Sequence, residues 1–417
     1  MPRIGFGAFL APHHPIGENP TLQFRRDLDF AEHLDKLGYD EFWCGEHHSS
    51  GWEMIGSPEM FLAAAGERTK RIKLATGVVS LPYHHPFNVA QRMVQLDHMT
   101  GGRAIFGSGP GALPSDAYTL GIDPMVQRDR QDEAIGIIKR LFAGERVTAK
   151  SEWFTLRDAA LQILPLQEEM PFAVASQISP SGMTLAGKHG IGVISIGSMS
   201  DEGLTALPTQ WSFAEDAARK HGKTVSRKDW RVVLSWHIAE TREKAREEAG
   251  KGLFRWHNEY IVGTLQRPGA TAFKSVSDAI DQTSGTPGSA STIGTPDDLV
   301  NTIKGVIKMS GGLGAVIGFA HDWANIENTF RSWDLVARYV VPEVNGYIEG
   351  LRKSQTYVIE HREAFERAGQ AVMAKIMEND KAAAALAVTR SNRFAASSAN
   401  APDLDKEAAK AKAKAKA

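Results

Sequence analysis

The sequence predicts an α/β chain folded as a (β/α)8 barrel (a TIM barrel), with a long late insertion loop and a helical C-terminal extension. Short, nearly continuous apolar runs alternate with longer amphipathic stretches, the pattern of a parallel sheet sheathed by helices. About eight such units fall within roughly 340 residues, which suits a closed barrel with insertions. No G-x-G-x-x-G joins an early strand to a helix, which argues against the competing doubly wound dinucleotide-binding sheet.

The elements follow in order. Ile4–Leu10 reads as the first strand, and Thr21–Leu37 as a helix stopped by Gly38. The run EFWCG (Glu41–Gly45) is the second strand and Pro58–Arg68 the next helix. Ile72–Leu81 is β-rich, Asn88–Thr100 is helical, and RAIFG (Arg103–Gly107) is a strand. Then come a helix over Gln127–Phe142, the strand FAVAS (Phe172–Ser176) and a helix opening at Pro180. Gly190–Ser195, Val232–Ala239 and Gly314–Phe319 are the later strands, separated by helical stretches at Glu202–His221, Thr241–Tyr260 and Pro296–Met309. The barrel is thus expected over 1–345. Within it, 266–293 is rich in Gly, Ser, Thr and Pro and is expected to be a mobile loop, either a lid over the mouth or an insertion without a role. Residues 346–417 read as a helical extension ending in the Ala/Lys tail KEAAKAKAKAKA, which has no apolar face.

Composition narrows the function. Lys+Arg 48 against Asp+Glu 49 gives no electrostatic reason to expect nucleic acid or an anionic membrane as partner. No run approaches the roughly 20 apolar residues of a membrane span. The opening MPRIGFGAFLAPHH lacks a leader's apolar segment, so the cytoplasm is the expected compartment. The single cysteine, Cys44, cannot form an internal disulfide or a multi-cysteine metal site.

In a barrel of this kind chemistry belongs at the C-terminal strand ends, and four clusters stand there. Glu46-His47-His48 follows the second strand. An imidazole there can hydrogen-bond a substrate or exchange a proton near neutral pH, though a histidine pair also serves to satisfy loop backbone. H-E-x-x-H is absent and no metal is expected. Thr76-Gly77-Val78 places a glycine inside a strand, a packing feature or a close approach to a ligand. Phe106–Gly111 (FGSGPG) lets a flat ring lie against backbone through Gly107 and Gly109, or is simply a tight turn. Ser179-Pro180-Ser181-Gly182 opens a helix whose free amides would cradle a phosphate, or is plain capping. Arg128 and Arg130 would supply charge to that phosphate, or are surface arginines.

Taken together, these blocks resemble the luciferase-like flavin monooxygenases over nearly all of 1–345. The matching stretches are GYDEFWCGEHHSS, SPEMFLAAAGERTKRIKLATGVVSLPYHHP, AQRMVQLDHMTGGRAIFGSGPG and, less closely, STIGTPDDLVNTIK, in the family's order. The stretch ASQISPSGMTLAGKHG is similar to the S-P-S segment of members acting on limonene and, further off, on diketocamphanes. The resemblance implies an enzyme that takes reduced FMN from a separate flavin reductase, together with dioxygen, and inserts one oxygen atom into a small apolar substrate. It implies His47 as the catalytic imidazole beside the flavin, with His48 as its neighbour. Glu46, Thr76, Gly77, Val78 and Gly109 then fall near the ring, with a non-prolyl cis peptide at Gly77–Val78. Ser179, Ser181, Gly182 and Arg128 fall near the phosphate. Phe9, Trp43 and Trp236, near strand ends, would line the substrate pocket. Where luciferases carry Cys and Arg in the glycine turn this chain has Gly109 and Pro110, so the arginine's share of the phosphate must come from elsewhere. The family's habit of pairing through early barrel helices implies a homodimer or higher homo-oligomer. The alternatives are hydride transfer with the deazaflavin F420 on the same barrel, and a flavin-binding protein without turnover.

Overall fold

A computed structural model describes residues 3–11, 13–284 and 289–388. Its contacts divide the chain into two units, Met1–Gly346 and Tyr347–Ala417. The strands are β1 (Gly5–Leu10), β2 (Glu41–Cys44), β3 (Lys73–Thr76), β4 (Val79–Ser80), β5 (Ala104–Gly109), β6 (Val147–Lys150), β7 (Thr155–Ala159), β8 (Phe172–Ser176), β9 (Gly192–Ser195), β10 (Trp230–Ile238), β11 (Ser291–Gly294) and β12 (Ala315–Ala320).

Eight of them close a ring of parallel neighbours, β1-β2-β3-β5-β8-β9-β10-β12, and β12 returns to β1. This is the expected (β/α)8 barrel. β4 continues the line of β3 along β5, and β11 pairs with the upper end of β10 at Ser235↔Ser291. Alternation along each strand sorts its side chains into two cores. Phe9, Trp43, Ala75, Ile105, Ala173, Ile194, Val233, Ile317 and Phe319 fill the barrel. Their odd-and-even partners, among them Phe42, Leu74, Phe106, Val232 and Leu234, pack outward against the helices. Helix ends follow the sequence. Asn19 caps Pro20–Leu37 through the Thr21 amide, and Gly38 closes it at φ +87°. Thr295 and Asp298 form a reciprocal capping box on Pro296–Ser310.

One segment expected as loop carries regular structure, and two elements were not expected. The segment 266–293 is in good part packed structure. Val276–Ser284 is a helix with Ala279 and Ile280 buried against Ala245, Ala249 and Leu253, and Ser291–Gly294 is a sheet strand. Two apolar side chains one helical step apart were enough to anchor it, and composition averaged over the whole segment hid them. Residues 285–288 lie outside the described residues. The β6–β7 hairpin went unforeseen because its strands are mostly exposed and polar. So did the short helix Pro114–Thr119. In the second unit the expected helical run includes Glu349–Glu360 and Arg362–Met377, neither with a buried residue, and resumes over 380–388, while the Ala/Lys tail lies outside the described residues. Among the described residues no helix is long and apolar enough to cross a membrane.

Candidate active site

The C-terminal ends of β1, β2, β3, β5 and β12 converge on one mouth. The chain leaving β2 is folded back at once: the Gly45 amide donates to Leu10 O (2.9 Å) and the His47 amide to Ile55 O (3.0 Å). That turn fixes three consecutive side chains in different directions.

His47 points between two carboxylates. Its Nδ1 lies 3.0 Å from Asp116 Oδ2 and its Nε2 2.9 Å from Glu53 Oε2. Burial alone would pull the imidazole's pKa down, but the Glu53 charge and the Asp116 hydrogen bond outweigh it and raise it to about 10. The ring is therefore an imidazolium at neutral pH, with a proton on each nitrogen. Glu53, itself 5 % exposed, is bound at its other oxygen by His13 Nε2 at 3.0 Å and by the Tyr260 hydroxyl. Burial pushes Glu53 up, yet His13 and His47 hold it well below the carboxylate range. Asp116 also accepts from the His48 amide (3.1 Å) and the Ser49 hydroxyl.

Glu46 turns the other way. One oxygen accepts from His48 Nε2 (2.8 Å) and His84 Nε2 (2.7 Å), the other from the Ser80 amide (2.9 Å). Burial opposes its charge, but these hydrogen bonds bring its pKa to about 2, and the Glu46 bond raises that of His48. Glu46, His48 and His84 bring three ligand-capable atoms within 4.8 Å of one another, an assembly that the expectation of no metal did not foresee. All three partners are satisfied by one another as they stand.

The floor is glycine. The Gly77–Val78 peptide is cis, as the resemblance implied. A Cβ on Gly109 would stand 2.5 Å from Val78 Cγ2, and one on Gly77 3.0 Å from Phe9 Cε2, so backbone, floor and Phe9 are in direct contact. Thr76 is fully buried; its hydroxyl donates to Gly107 O (2.7 Å) and accepts from the Gly107 amide (2.9 Å), spending the side chain on the seam between β3 and β5.

At the far rim, the helix Ser181–His189 begins after Pro180 without a side-chain cap, which leaves its first amides free. The Ser179 and Ser181 hydroxyls meet at 2.9 Å on the surface. Gly182 packs on β8, where a Cβ would lie 2.6 Å from Ala175 O. Arg128 is exposed at the start of Gln127–Phe142, whereas Arg130 is laid over the Trp153 ring at 5.3 Å.

Two pocket expectations are corrected. Trp43 does point into the barrel but away from the mouth, with Nε1 donating to Glu41 (2.8 Å) and no exposed surface. Trp236 faces outward into the helix layer against Trp333, because even-numbered residues of β10 point there. Phe9 stacks on Phe319 (6.1 Å) beneath the mouth. Above it His13, Trp256 and Tyr260 gather, with ring centroids 5.9 and 4.9 Å from His13, and Trp52 lies 5.2 Å from Tyr260. Sequence reasoning missed Glu53, Asp116, His13 and Tyr260. Asp116 carried one faint signal, an acidic first turn after Pro114; the others are brought in by loops and by the π-helical turn Trp256–Thr264. Another rim cluster ties β1 to β12: His14 lies 2.8 Å from both Asp27 and Asp322. Burial opposes its charge, but these carboxylates raise its pKa to about 9.

The sequence pattern described as luciferase-like monooxygenase matches residues 4–311. A 4-hydroxyprotoasukamycin monooxygenase of Streptomyces nodosus subsp. asukaensis is 46% identical over 371 residues, 87% of this chain and 98% of that one. A limonene 1,2-monooxygenase of Rhodococcus erythropolis is 45% identical over 346 residues, 82% of this chain and 87% of that one. Among solved structures, the oxygenating constituent of 3,6-diketocamphane monooxygenase from Pseudomonas putida, in complex with FMN, superposes with a TM-score of 0.68 at 25% identity, over 82% of this chain and 99% of that one.

Proposed function

This chain belongs to the luciferase-like monooxygenase family, and on that premise we propose that it uses reduced FMN from a separate flavin reductase, with dioxygen, to place one oxygen atom on a small apolar substrate. The observation that carries the reading is the doubly carboxylate-clamped His47, standing at the barrel mouth with the glycine floor Gly77–Val78–Gly109.

The residues fit FMN. Gly77, Val78 and Gly109 form a closely packed floor on which a flat ring would lie: a side chain on Gly109 would meet Val78 and one on Gly77 would meet Phe9 and Trp43, so neither position can carry one. Thr76 holds the floor's seam rather than touching a ligand, and Glu46 fixes His48 and His84 beside it. The uncapped amides of Ser181, Gly182 and Met183, with the Ser179 and Ser181 hydroxyls, would hold the phosphate, and Arg128 would neutralise it. Bound reduced FMN would supply the electrons and the activation of dioxygen.

The chain's own part is shaping and charge placement. An imidazolium with a pKa of about 10, both N–H groups held by carboxylates, is a fixed positive charge and not a base, so His47 would stabilise negative charge developing on oxygen at the mouth electrostatically. Glu53 and Asp116 hold its two N–H groups in place and are positioning residues. The rings of Trp52, Trp256, Tyr260 and Phe319 exclude water and give an apolar terpene- or cyclic-ketone-like molecule its contact surface.

This assignment has a sign in pH. The folded pKa of His47 lies above the free histidine value, so its ion pairs contribute fully below about 6.5 and are lost as pH rises through about 10. Activity should therefore hold across neutral pH and fall on the alkaline side. In Glu53→Gln the largest favourable charge is gone, and the alkaline limb of kcat/KM should move to lower pH. An unmoved limb would assign that ionisation to another group. The direct test of the function is oxygen uptake by the protein with photoreduced FMN: uptake coupled to oxygenated product supports it, and uptake that yields only peroxide refutes it.

The helices Pro58–Arg68 and Pro86–Met99 each expose one methionine, Met60 and Met99, among mostly polar outer residues. We infer a homodimer through them, in the cytoplasm, and a monomer mass by light scattering at micromolar concentration would reject it.

A further inference from the structure

The aromatic group above Phe319 holds polar atoms that no protein group satisfies. Trp256 Nε1 and Trp323 Nε1 are buried without a hydrogen-bond partner, and so is His13 Nδ1. The rings are contiguous: His13 and Trp256 at 5.9 Å, Trp256 and Trp323 at 6.1 Å, Trp323 and His321 stacked at 3.6 Å, His321 and Phe319 at 6.2 Å. A buried donor left without a hydrogen bond is costly, so several in one place call for a common partner.

The donor inventory defines that partner. An indole nitrogen only donates. Burial and the nearby His237 push the His321 imidazole down to about 3, so it is neutral, and hydrogen bonds to backbone, Trp236 among them, hold its ring in place. Two indole N–H groups, those of Trp256 and Trp323, thus stand unmet. Trp256 is the member nearest the chemistry, for it packs on the barrel interior and on Trp52 and Tyr260 at once. Through His13 the group reaches the same Glu53 that clamps His47.

We propose that this cluster is a subsite for an acceptor oxygen, so that the substrate is an apolar molecule carrying a ketone or enone carbonyl rather than a plain hydrocarbon. The carbonyl accepts from the Trp256 indole while the hydrocarbon body lies on Phe319 and Tyr260. His13 on Glu53 and His47 on the same carboxylate then set the distance between the held carbonyl and the reacting oxygen. The proposal rests on reading the mouth as the oxygenation site, and deepens that reading by naming what the substrate must carry. A competing occupant is water. His13, His14 and His321 also border a cavity of about 30 Å³ behind the rim, room for one or two molecules. Trp256 does not border it.

Limonene and carvone share one skeleton and differ by a single carbonyl, which makes them the probes. Binding to the protein without flavin, followed by calorimetry or tryptophan fluorescence, is expected to favour carvone at least tenfold. In Trp256→Phe, and in Trp323→Phe as a second variant, the ratio of the two affinities should fall toward one, because a ring is kept and only the N–H is lost. Equal affinities in the parent, no binding of either probe up to its solubility, or a preference that survives both variants overturns the subsite. The last result would leave ordered water or neighbouring ring faces as the partners of those donors. Oxygen uptake separates the two readings: oxygenation without carbonyl preference removes the subsite alone, and carbonyl-selective binding without any oxygenation removes the monooxygenase reading alone.

Discussion

His47→Ala is expected to fold and to bind FMN, and to lose oxygenation by about 10²–10³-fold, the range for removing one electrostatic stabiliser of developing negative charge. Folding should survive because the side chain lies at a strand end and its amide, which donates to Ile55 O, stays. Some stability must be lost, since Glu53 keeps only His13 and Tyr260 and Asp116 keeps Ser49 and the His48 amide. FMN affinity should hold because the ring's floor and the phosphate's amides are elsewhere. His47→Gln restores one neutral N–H donor without the charge, so partial recovery would mean that orientation matters, and none would mean that the cation does. Activity is read as coupled product per oxygen consumed. A variant with weakened FMN binding but normal turnover of the bound flavin would move His47 from chemistry to binding.

How much of this was legible in the sequence varies with the range of the interaction. The barrel was legible because each strand is a local apolar run and each helix a local period, and both survive without knowledge of their neighbours. His47 and Glu46 were legible because a polar block directly after an apolar strand must sit at a rim. Their partners were not. Asp116 lies 69 residues from His47 and Tyr260 207 residues from Glu53, and nothing in either stretch marks the pairing. Trp236 shows the opposite failure. Its strand was read correctly, but WRVVLSWHI is buried on both faces, so the pattern does not say which side faces the barrel. The register does. Val233 fills the barrel, and residues an odd number of positions away from it point outward.

The second large effect is structural. The bottom of the barrel is plugged by Arg231, whose Nε and Nη2 lie 2.9 Å from Glu41 Oε2 and Oε1, while the Trp43 indole donates to the same carboxylate at 2.8 Å. The guanidinium also lies over the Trp43 ring at 5.5 Å. All three side chains are buried. Arg231→Met keeps the bulk and removes the charge, leaving a buried carboxylate with one indole donor and the weaker pull of the Lys73 charge. Breaking a buried pair from one side costs about 3–5 kcal/mol, chiefly because the remaining charge stays unpaired. Burial pushes Glu41 up, and at present the Arg231 charge and hydrogen bonds outweigh it and hold it low. Without Arg231 the burial effect prevails and Glu41 takes up a proton on the acid side, so the deficit should be smaller at pH 5 than at pH 8. Glu41→Gln added to Arg231→Met keeps an acceptor for the indole and removes the stranded charge, and should recover more than half of the loss. Urea unfolding at the two pH values measures all three proteins. A deficit below about 1 kcal/mol for the single variant, or one that Glu41→Gln fails to relieve, would mean that water reaches the barrel floor and that the pair is not what closes it.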